Sequence, residues 1–429
     1  MYKRKYLKYK LKYTSLKNLQ GGTKGNKSIN NIIKFIKDAP IETIQLELSK
    51  KLFDNETYCD QPTAEGMIGE VIISAVGKTM NVNINKTTIL MPVVIKKAHT
   101  YVGTFDMKII DNILYVYSYR DLTGEALILI YITDLWQQGL SPHLPFMIGY
   151  GTCGSDNKVI VNKIITERQG LEKKIKININ RLDSEPLIYP KPNYDPNDHN
   201  YKTNFATLDD LLEYILMHEK NGTILLPNNI SCDVAKLCDY LVISYLHTYT
   251  ILAKHGITLL DMHTSNIFIH WLNENSYMGE KNINKVRNII YDLGTGIYLK
   301  IETYGLVLKI GDVGASIVHP KDDVYLIGHG VDLEKTHHIV KYLTTYPSLA
   351  VYFLCYFKIL LPYSIYQKTI ISNILSQHPY SELVLVLDTV SFELLDKMEQ
   401  PIDILKKFTK YFTDEADSSI DTLIVRQPS

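Results

Sequence analysis

The stretch from Leu259 to Ile269, LLDMHTSNIFI, is the feature that most limits what this chain can fold into. Asp261 and Asn266 lie five residues apart, and a β-branched and aromatic run follows at once. This layout is typical of a loop in which a carboxylate accepts a hydroxyl proton and an amide oxygen ligates Mg²⁺ ahead of a short strand. Asparagine is common in this chain and the spacing recurs by chance, so the prediction depends on finding the other parts of such a site in the right order.

Length and composition favour a globular protein with two lobes or domains. At 429 residues the chain is too long for one small domain, and its 45% hydrophobic and 21% charged residues are ordinary for a folded protein. The formal net charge is zero, so no field of the whole chain favours nucleic acid or a membrane. We therefore expect no stable binding of nucleic acid by the core of the protein.

Cysteine use bears on the redox environment of the chain, and hydropathy bears on whether it is secreted or crosses a membrane. The five cysteines include no CxxC pair, which favours free thiols in a reducing environment. The N-terminus is rich in Lys and Tyr rather than apolar, so it does not predict a secretory signal. The most apolar window, residues 349–366, is interrupted by Lys358 and Pro362 and predicts a buried helix, so we expect no transmembrane segment.

Residues 1–28 form a separate basic segment with nine Lys or Arg residues and no acidic residue. Aromatic and apolar residues recur in it at intervals of four and three: Tyr2, Tyr6, Tyr9, Tyr13 and Leu16. This spacing predicts a basic helix with an aromatic stripe that ends at Gly21, Gly22 and Gly25. Two interpretations stay open: a docking surface for an anionic partner, either nucleic acid or lipid headgroups, and a solvated, partly disordered tail.

A glycine-containing turn follows a helical pattern over residues 30–60. In the run AEGMIGEVII, which starts at Ala64, Gly66 and Gly69 lie three residues apart and lead into a strand. Small residues at these positions let backbone N–H groups close over phosphates, and Val71 can cover an adenine ring. A tight turn between two strands accounts for the same pattern equally well.

Lys96 ends a β-branched strand, MPVVIKK, over residues 91–97. A lysine on a rigid strand after a glycine turn can reach the α- and β-phosphates of a nucleotide. One or two strands are predicted within residues 101–120, and then a helix with a broad apolar face over residues 123–138. Glu125 is the only glutamate in that helix and is the candidate partner of Lys96. A glutamate in the first turn also stabilises the helix dipole without such a partner.

The following segments predict a connector between two lobes. Residues 145–151 and 158–165 are expected to form a strand pair. The second strand continues into the polar, glycine-ended stretch TERQG, which contains Glu167. A strand that leaves a sheet through such a stretch is a suitable link between two parts of a molecule.

The region before the opening stretch is predicted to be an insertion and two helices. Residues 171–204 are rich in Pro, Asn and Asp and are expected to be irregular. Amphipathic helices are predicted over residues 205–218 and 232–255, and Gly256 caps the second of them. The second helix thus leads directly to the stretch that contains Asp261.

Two Asp-x-Gly motifs compete for a second metal-binding position. Asp292, in DLG, lies inside alternating strand sequence and is predicted to lie at a hairpin turn. Asp312, in DVG, directly follows the strand of residues 306–311, which we expect to pair with the preceding strand across residues 303–305. A carboxylate at the end of that strand would face Asn266 across the hairpin, where Mg²⁺ should bridge phosphates, so Asp312 is favoured.

The rest of the chain is predicted to be helical to about Tyr411, with a loose, charged tail after it. The expected organisation is therefore a basic segment over residues 1–28, a first lobe over 29–170, a second lobe over 171–412 and a tail over 413–429. This division depends on the connector near Glu167.

Taken in order, a glycine turn, a strand lysine, a helix glutamate, a connector, Asp-x-x-x-x-Asn and Lys-Ile-Gly-Asp-Val-Gly resemble the protein-kinase-like superfamily over roughly residues 60–345. The runs Leu-Asp-x-His-x-x-Asn-Ile-Phe and Thr-Tyr-Gly-x-x-x-Lys-Ile-x-Asp look most like serine/threonine kinases of large DNA viruses, of the giant-virus and poxvirus virion-kinase type. The Lys/Tyr-rich opening before Gly-Gly is similar to N-termini of giant-virus proteins. The resemblance implies an α+β, two-lobed fold with a β-rich N-lobe and a mainly helical C-lobe.

The resemblance also implies how ATP would be bound. Gly66 and Gly69 would belong to a loop that covers the phosphates, and Val71 would cover the adenine. Lys96 would hold the α- and β-phosphates. The connector at Glu167 would expose backbone groups to the adenine edge.

Transfer of the γ-phosphate to Ser or Thr hydroxyls of protein substrates is the activity that the resemblance implies. Glu125 would hold the strand lysine, and Asp261 would be the catalytic base. His263 would approach the γ-phosphate or steer the acceptor, or it would make only a structural hydrogen bond in the loop. Asn266 and Asp312 would be the Mg²⁺ ligands.

The chain departs from the family pattern in ways that keep other functions open. Leu259 and Leu260 replace the usual His-Arg, so control by activation-loop phosphorylation is not expected, and Ala64 replaces the first loop glycine. His263 replaces the usual lysine, and no Ala-Pro-Glu follows Asp312. A small-molecule kinase of the aminoglycoside- or choline-kinase type is the alternative, and a catalytically silent scaffold is the third possibility. The resemblance implies an intracellular protein of the host cytoplasm and leaves association with the virion open.

Overall fold

The computed structural model describes most of the central part of the chain and a short C-terminal part. The described residues are 22–53, 79–84, 87–101, 106–117, 122–154, 159–167, 174–176, 202–204, 207–226, 230–294, 296–328, 350, 399–413, 419 and 421–426. The glycine turn with Gly66, Gly69 and Val71 lies outside these residues, and so does most of the helical region predicted after residue 331.

Two helices, α1 (Gly22–Asp38) and α2 (Ile41–Phe53), begin the described chain. They confirm the helical pattern predicted from residue 30 as far as Phe53. The prediction that Gly25 ends a helix is wrong, because Gly25 lies inside α1. Helix α1 also crosses residue 28, the predicted end of the basic segment.

Burial explains why α1 tolerates an internal glycine. Its buried side chains form one stripe: Ile29, Ile32, Ile33 and Ile36. A glycine inside a helix costs about 1 kcal/mol relative to alanine, whereas burial of one isoleucine contributes about 1.5–3 kcal/mol. The apolar stripe therefore outweighs the poor helix propensity at Gly25.

The first sheet has four strands: β1 (Thr79–Ile84), β2 (Thr87–Tyr101), β5 (Met147–Gly154) and β6 (Val159–Glu167). Their order is β1-β2-β6-β5, and all neighbours are antiparallel. The predicted pairing of the strands near residues 145–151 and 158–165 is confirmed. Glu167 is the last residue of β6, where the predicted connector begins.

A hairpin and a buried helix follow β2. The hairpin consists of β3 (Asp106–Ile110) and β4 (Ile113–Tyr117), and its turn residues Asp111 and Asn112 have φ values of 52° and 61°. A two-residue turn with both φ values positive matches the twist of the flanking strands. Helix α3 (Leu122–Gln137) is buried without interruption from Ala126 to Ile132, as its broad apolar face predicted.

Two well-capped helices precede the Asp261 stretch, as predicted. At the start of α4 (Leu208–His218), the Thr207 side chain accepts from the Asp210 N–H at 3.3 Å, and the Asp210 carboxylate accepts from the Thr207 N–H at 3.0 Å. In α5 (Val234–Lys254), the carboxylate of Asp233 accepts from the N–H of residue 236 at 3.1 Å. Helix α5 is buried over most of its length and lies at the centre of this part of the molecule.

Gly256 ends α5 in the left-handed region, at φ +69°, and the chain then enters β11 (Ile257–Leu259). A Cβ atom at residue 256 would lie 2.5 Å from the carbonyl oxygen of His319. Both the backbone angle and the close approach of another segment therefore favour glycine. The cap predicted from the sequence is confirmed.

A five-stranded sheet joins early and late parts of the chain. Besides β11, it contains β18 (Ser316–Lys321) and β19 (Val324–Ile327), in the order β11-β18-β19-β4-β3. Strand β19 pairs in parallel with β4, and the other neighbours are antiparallel. The segment that follows Asp312 is thus part of a sheet rather than a free loop.

The strand before Asp312 does not pair as predicted. Strand β17 (Leu306–Ile310) is antiparallel to β12 (Ile267–Trp271), not to the strand just before it. That preceding strand, β16 (Tyr298–Glu302), already has a partner on each side in another sheet. No edge is left for β17, so the turn over residues 303–305 passes the chain from one sheet to the next.

The polar insertion between β12 and β17 contains four strands. They are β13 (Tyr277–Met278), β14 (Lys281–Asn282), β15 (Asn288–Asp292) and β16. Strands β15 and β16 form the predicted hairpin and join a sheet in the order β20-β16-β15-β21, where β20 is Phe412–Thr413 and β21 is Thr422–Val425. The prediction of a loose tail is therefore wrong for β21, which pairs in parallel with β15 and buries Leu423 and Val425.

Smaller elements complete the described chain. They are the pair β7 (Lys174–Lys176) and β8 (Lys202–Asn204), the pair β9 (Thr223–Leu225) and β10 (Ser231–Asp233), and helix α6 (Pro401–Leu405), which packs against α5. The two ends of the 171–204 insertion are therefore paired rather than irregular, because β7 and β8 satisfy each other's backbone groups.

The described residues form a mixed α+β fold of six α helices and several small sheets. The α+β class predicted from the sequence is confirmed. Between residues 207 and 328, α4 and α5 are accompanied by many short strands, because the insertion after β12 is folded. Among the helices of the described ranges, none is both long and apolar enough to cross a membrane.

Replacing Gly256 by alanine should destabilise the protein through two effects. The left-handed backbone contributes about 1 kcal/mol, and the overlap with the His319 carbonyl raises the expected loss to about 2–3 kcal/mol. The matched control is Gly222→Ala, because residue 222 has φ +79° but open space around a Cβ atom. Urea denaturation measures both losses in free energy of unfolding. Equal losses would contradict the role given to the contact with His319.

Candidate active site

The stretch that carries Asp261 is a loop between two strands of different sheets. Leu259 ends β11, a 3-10 helix covers Thr264–Asn266, and β12 starts at Ile267. The short strand predicted after Asn266 is confirmed. Because β11 and β12 are each paired to other strands, both ends of the loop are fixed.

Asn266 positions Asp261 within this loop. Its Nδ2 atom donates to the backbone carbonyl of Asp261 at 2.9 Å and to the carboxylate Oδ2 at 3.2 Å. Asn266 is buried, whereas the Asp261 side chain is 44% exposed. With Nδ2 turned to Asp261, the amide oxygen of Asn266 lies on the other side of the amide carbon. The loop therefore presents a carboxylate to solvent, and the amide oxygen of Asn266 points away from that carboxylate.

His263 lies beside the carboxylate of Asp261. Its Nε2 atom is 3.7 Å from Oδ1 of Asp261, which is too long for a hydrogen bond but close enough for an ion pair when the ring is protonated. The neighbouring Thr264 hydroxyl donates to Oδ1 of Asp209 at 3.2 Å and so connects the loop to helix α4. His263 thus borders the candidate base, as the sequence interpretation requires.

Two backbone hydrogen bonds bring the turn with Asp312 next to the loop with Asp261. The N–H of Leu260 donates to the carbonyl of Ala315 at 3.0 Å, and the N–H of Gly311 donates to the carbonyl of Asn266 at 2.8 Å. The first bond joins the residue before Asp261 to the residue after the Asp-Val-Gly turn. The second bond joins the residue before Asp312 to Asn266, at the other end of the loop. Asp261 and Asp312 therefore lie on two short segments that are joined at both ends.

Asp312 is exposed and adopts a left-handed backbone conformation, with φ +42°. This conformation costs a non-glycine residue about 1–2 kcal/mol, and aspartate is among the residues that tolerate it best. Strain of this kind is kept where the surrounding structure imposes it, often at functional sites.

Asp292 lies in a different sheet from the Asp261 loop and the Asp312 turn. Asp292 is the last residue of β15, in register with Tyr298 of β16, and its Oδ1 accepts from the N–H of Gly294 at 2.7 Å. The sheet that contains β15 does not include β12 or β17. Of the two Asp-x-Gly motifs, the one at residue 312 is thus the one adjacent to Asn266.

The predicted nucleotide-binding residues are only partly described. Lys96 lies on β2 in backbone register with Ile164 of β6. Glu125 lies in the first turn of α3 and is buried, and α3 packs against β2 and β6. The position of the Lys96 side chain and the loop with Gly66, Gly69 and Val71 lie outside the described residues. The Lys96–Glu125 pair therefore stays a prediction.

Glu167 forms a buried ion pair that the sequence analysis missed. Its Oε1 atom is 2.8 Å from Nζ of Lys309, which also donates to the carbonyl of Leu144 at 3.1 Å. The two side chains are 6% and 1% exposed. The backbone N–H of Glu167 donates to the carbonyl of Phe146 at 3.0 Å. Both the side chain and the N–H of Glu167 therefore bind other groups of the protein.

The Lys309 contacts connect three elements around the site. Lys309 lies on β17 three residues before Asp312, Glu167 ends β6, and Leu144 follows α3. A cavity of about 280 Å³ borders this pair, and its lining residues are Met91, Pro92, Glu167, His270, Asn273, Glu274 and Asn275. The sequence signal for the pair was a lysine inside the apolar strand LVLKI, since a charged group in a buried strand needs a partner.

A second buried network links β17, β15 and α5. The Nδ1 atom of His143 donates to the carbonyl of Leu308 at 2.9 Å, because a carbonyl can only accept. Its Nε2 atom then accepts from the hydroxyl of Tyr291 at 2.7 Å, and Tyr291 in turn accepts from Ser244 at 2.8 Å. These residues are far apart in sequence, so no local pattern predicts the network.

Three buried histidines near these elements are held neutral. Burial lowers the pKa of His143 to about 3, that of His247 to about 4 and that of His270 to about 3, because a charged imidazolium ring would lose its hydration. The positive charge of Lys309 lowers the pKa of His143 and His270 further.

The chain matches no protein-family model and no curated protein sequence.

The donor atoms around Asp312 fit Mg²⁺ better than a transition metal. Among the described residues there is no cluster of three or more His, Cys, Asp or Glu side chains. Asn266 and Asp312 offer an amide oxygen and a carboxylate on adjacent segments. Mg²⁺ is commonly held by one or two protein oxygen ligands together with substrate phosphates and water, so these two donor types are compatible with it.

Replacing Lys309 by methionine should leave the carboxylate of Glu167 buried without a cation. We expect the free energy of unfolding to fall by about 3–5 kcal/mol, and the double variant Lys309→Met/Glu167→Gln to recover part of this loss. Lys406→Met is the control, because the pair with Asp403 is 3.4 Å long and exposed, so its loss should stay below about 1 kcal/mol. Urea denaturation provides the comparison. Equal losses in the two single variants would contradict a buried pair.

The buried histidines predict that the protein loses stability in acid. In the unfolded chain a histidine has a pKa near 6.5, so below that pH the unfolded state binds protons that the folded state excludes. Stability should fall as the pH decreases from about 6.5 to about 4, by up to about 1.4 kcal/mol per pH unit for each of His143, His247 and His270. Urea denaturation at several pH values measures this slope.

The variant His270→Gln should reduce that acid slope by the contribution of one histidine. A free energy of unfolding that stays constant between pH 6.5 and 4.5 would contradict the prediction.

Proposed function

We propose that this chain is an ATP- and Mg²⁺-dependent kinase that transfers the γ-phosphate to Ser or Thr hydroxyls of protein substrates. The observation that carries the proposal is the closed arrangement of the Asp261–Asn266 loop and the Asp312 turn, joined by the Leu260–Ala315 and Asn266–Gly311 hydrogen bonds. A proton-accepting carboxylate and two oxygen ligands on adjacent segments are the parts that phosphoryl transfer requires.

Each residue has a task in this proposal. Asp261, exposed and oriented by Asn266, accepts the proton of the acceptor hydroxyl. His263, next to that carboxylate, steers the acceptor or neutralises charge on the transferred group. Asn266 and Asp312 hold Mg²⁺, which when bound neutralises charge on the phosphates. Transfer then depends mainly on the position of the reactants and on charge neutralisation.

Strand β2 and helix α3, which precede the connector at Glu167, support a nucleotide site in the first lobe of this proposal. Strand β2 carries Lys96, and α3, with Glu125 in its first turn, packs against β2. In the proposal Lys96 holds the α- and β-phosphates, Glu125 orients Lys96, and the loop with Gly66 and Gly69 covers the phosphates. A two-lobed arrangement, divided near Glu167, is part of this proposal.

A small-molecule acceptor is the second candidate function, and one observation favours it. Strands β18 and β19 follow the Asp312 turn directly and pair with β11 and β4. Residues that could form a docking platform for a peptide are thereby held in a sheet. A kinase of the aminoglycoside- or choline-kinase type would use the same Asp261, Asn266 and Asp312.

The test is phosphate transfer by the purified full chain with labelled ATP and Mg²⁺. A generic basic protein serves as one acceptor, and a panel of aminoglycosides and small alcohols in an ADP-release assay serves as the other. The Asp261→Asn variant should lower kcat by about 10²–10⁴-fold, because it removes the general base. Label on protein supports the first function, and ADP release with a small alcohol supports the second.

The two Asp-x-Gly motifs give a matched control. Asp312→Asn should abolish most of the Mg²⁺-dependent activity, whereas Asp292→Asn should retain it, since an asparagine oxygen can still accept from Gly294. Equal activity of the wild type and Asp261→Asn would contradict the mechanism. Nucleotide binding without turnover in both assays would instead favour a catalytically silent scaffold.

A further inference from the structure

The end of β19 approaches the turn that carries Asp312 so closely that a side chain is excluded there. Gly328 follows β19, and its N–H donates to the carbonyl of Ser316 at 2.8 Å. A Cβ atom at residue 328 would overlap the carbonyl oxygen of Gly314 and would lie 2.9 Å from Cδ1 of Ile128 in α3. Gly328 is not in the left-handed region, so space rather than backbone angle requires a glycine.

The backbone neighbour is the decisive one of these two contacts. The tip of the Ile128 side chain can move to make room, whereas the carbonyl of Gly314 belongs to the Asp-Val-Gly turn itself. Any atom added at residue 328 must therefore displace the turn or the end of β19. Strand β19 is held by β18 on one side and by β4 on the other, and we expect the added atom to displace the turn.

The Asp312 turn depends on support of this kind. Asp312 is held at φ +42°, and such strain persists only where neighbouring contacts impose it. Two of these contacts are the hydrogen bonds Gly311–Asn266 and Leu260–Ala315 at the ends of the turn. The third contact is that of Gly328 with Gly314, which lies inside the turn, two positions after Asp312.

We propose that Gly328 is a positioning residue for Asp312. By letting the end of β19 lie directly against Gly314, it fixes the Asp312 carboxylate where it ligates Mg²⁺. In this proposal the backbone hydrogen bonds at the ends of the turn and the contact with Gly328 set the position of Asp312 before a nucleotide binds. This inference rests on the proposed kinase function.

The variant Gly328→Ala tests the positioning role. The measurement is the affinity for ATP with and without Mg²⁺, together with the Mg²⁺ concentration that gives half-maximal activity. We expect the Mg²⁺ requirement to rise about tenfold or more, equivalent to about 1.4 kcal/mol, while binding of ATP without Mg²⁺ is unchanged. Gly149→Ala is the matched control, because a Cβ atom at residue 149 has open space, and this variant should behave like the wild type.

The double variant Ile128→Val/Gly328→Ala separates the two contacts at residue 328. It shortens the side chain of α3 but leaves the Gly314 carbonyl in place. The defect should persist if displacement of the turn causes it. Recovery of the wild-type Mg²⁺ requirement would overturn the proposal, and so would an equal loss of ATP binding with and without Mg²⁺.

Hydrogen exchange of the wild-type chain gives a readout that needs no variant. The N–H groups of Gly311 and Gly328 should exchange slowly both without nucleotide and with Mg²⁺ and ATP. Rapid exchange at Gly328 without nucleotide would overturn the proposal. If the wild type shows no Mg²⁺-dependent binding of ATP, the proposed function fails and the positioning role with it. If the wild type shows such binding and Gly328→Ala matches it, only the positioning role fails.

Discussion

The pairing of strands on both sides of two acidic motifs is the constraint on which the rest of the structure depends. Strand β11 enters the Asp261 loop and pairs with β18, which leaves the Asp312 turn, while β12 and β17 pair at the opposite ends of the same segments. Buried backbone groups must find partners, so two pairs of strands hold the loop and the turn together. Asp261 and Asp312, on the segments between the paired strands, both have side chains exposed to solvent.

Two buried titratable groups on or next to β17, Lys309 and His143, are paired or kept neutral. Lys309 reaches both Glu167 and the carbonyl of Leu144, and so links β17, the end of β6 and the region after α3. His143 remains uncharged and joins β17 to Tyr291. A buried charge without a partner would destabilise the fold by several kcal/mol, so these contacts limit the possible positions of β17 and therefore of Asp312.

Sequence patterns predicted well those features that depend on neighbouring residues. Helices α4 and α5, the glycine cap at residue 256 and the strand after Asn266 follow from periodicity and capping. The adjacency of Asn266 and Asp312 was also predicted, although through a hairpin that does not exist. The partner of β17, the pairing of β21 and the Lys309–Glu167 pair were missed, because each joins residues more than a hundred positions apart or depends on which sheet edge is still unpaired.

The sequence by itself determined the local conformations and the chemical types of the candidate site: an aspartate and an asparagine five residues apart, an Asp-Val-Gly after an apolar strand, and a lysine inside that strand. Only the tertiary structure decided that β17 pairs with β12, that Lys309 binds Glu167, and that Gly328 must lack a side chain. The physical reason is that periodicity and capping act within a few residues, whereas edge pairing, burial of charge and close backbone approach depend on segments that meet only in the folded chain.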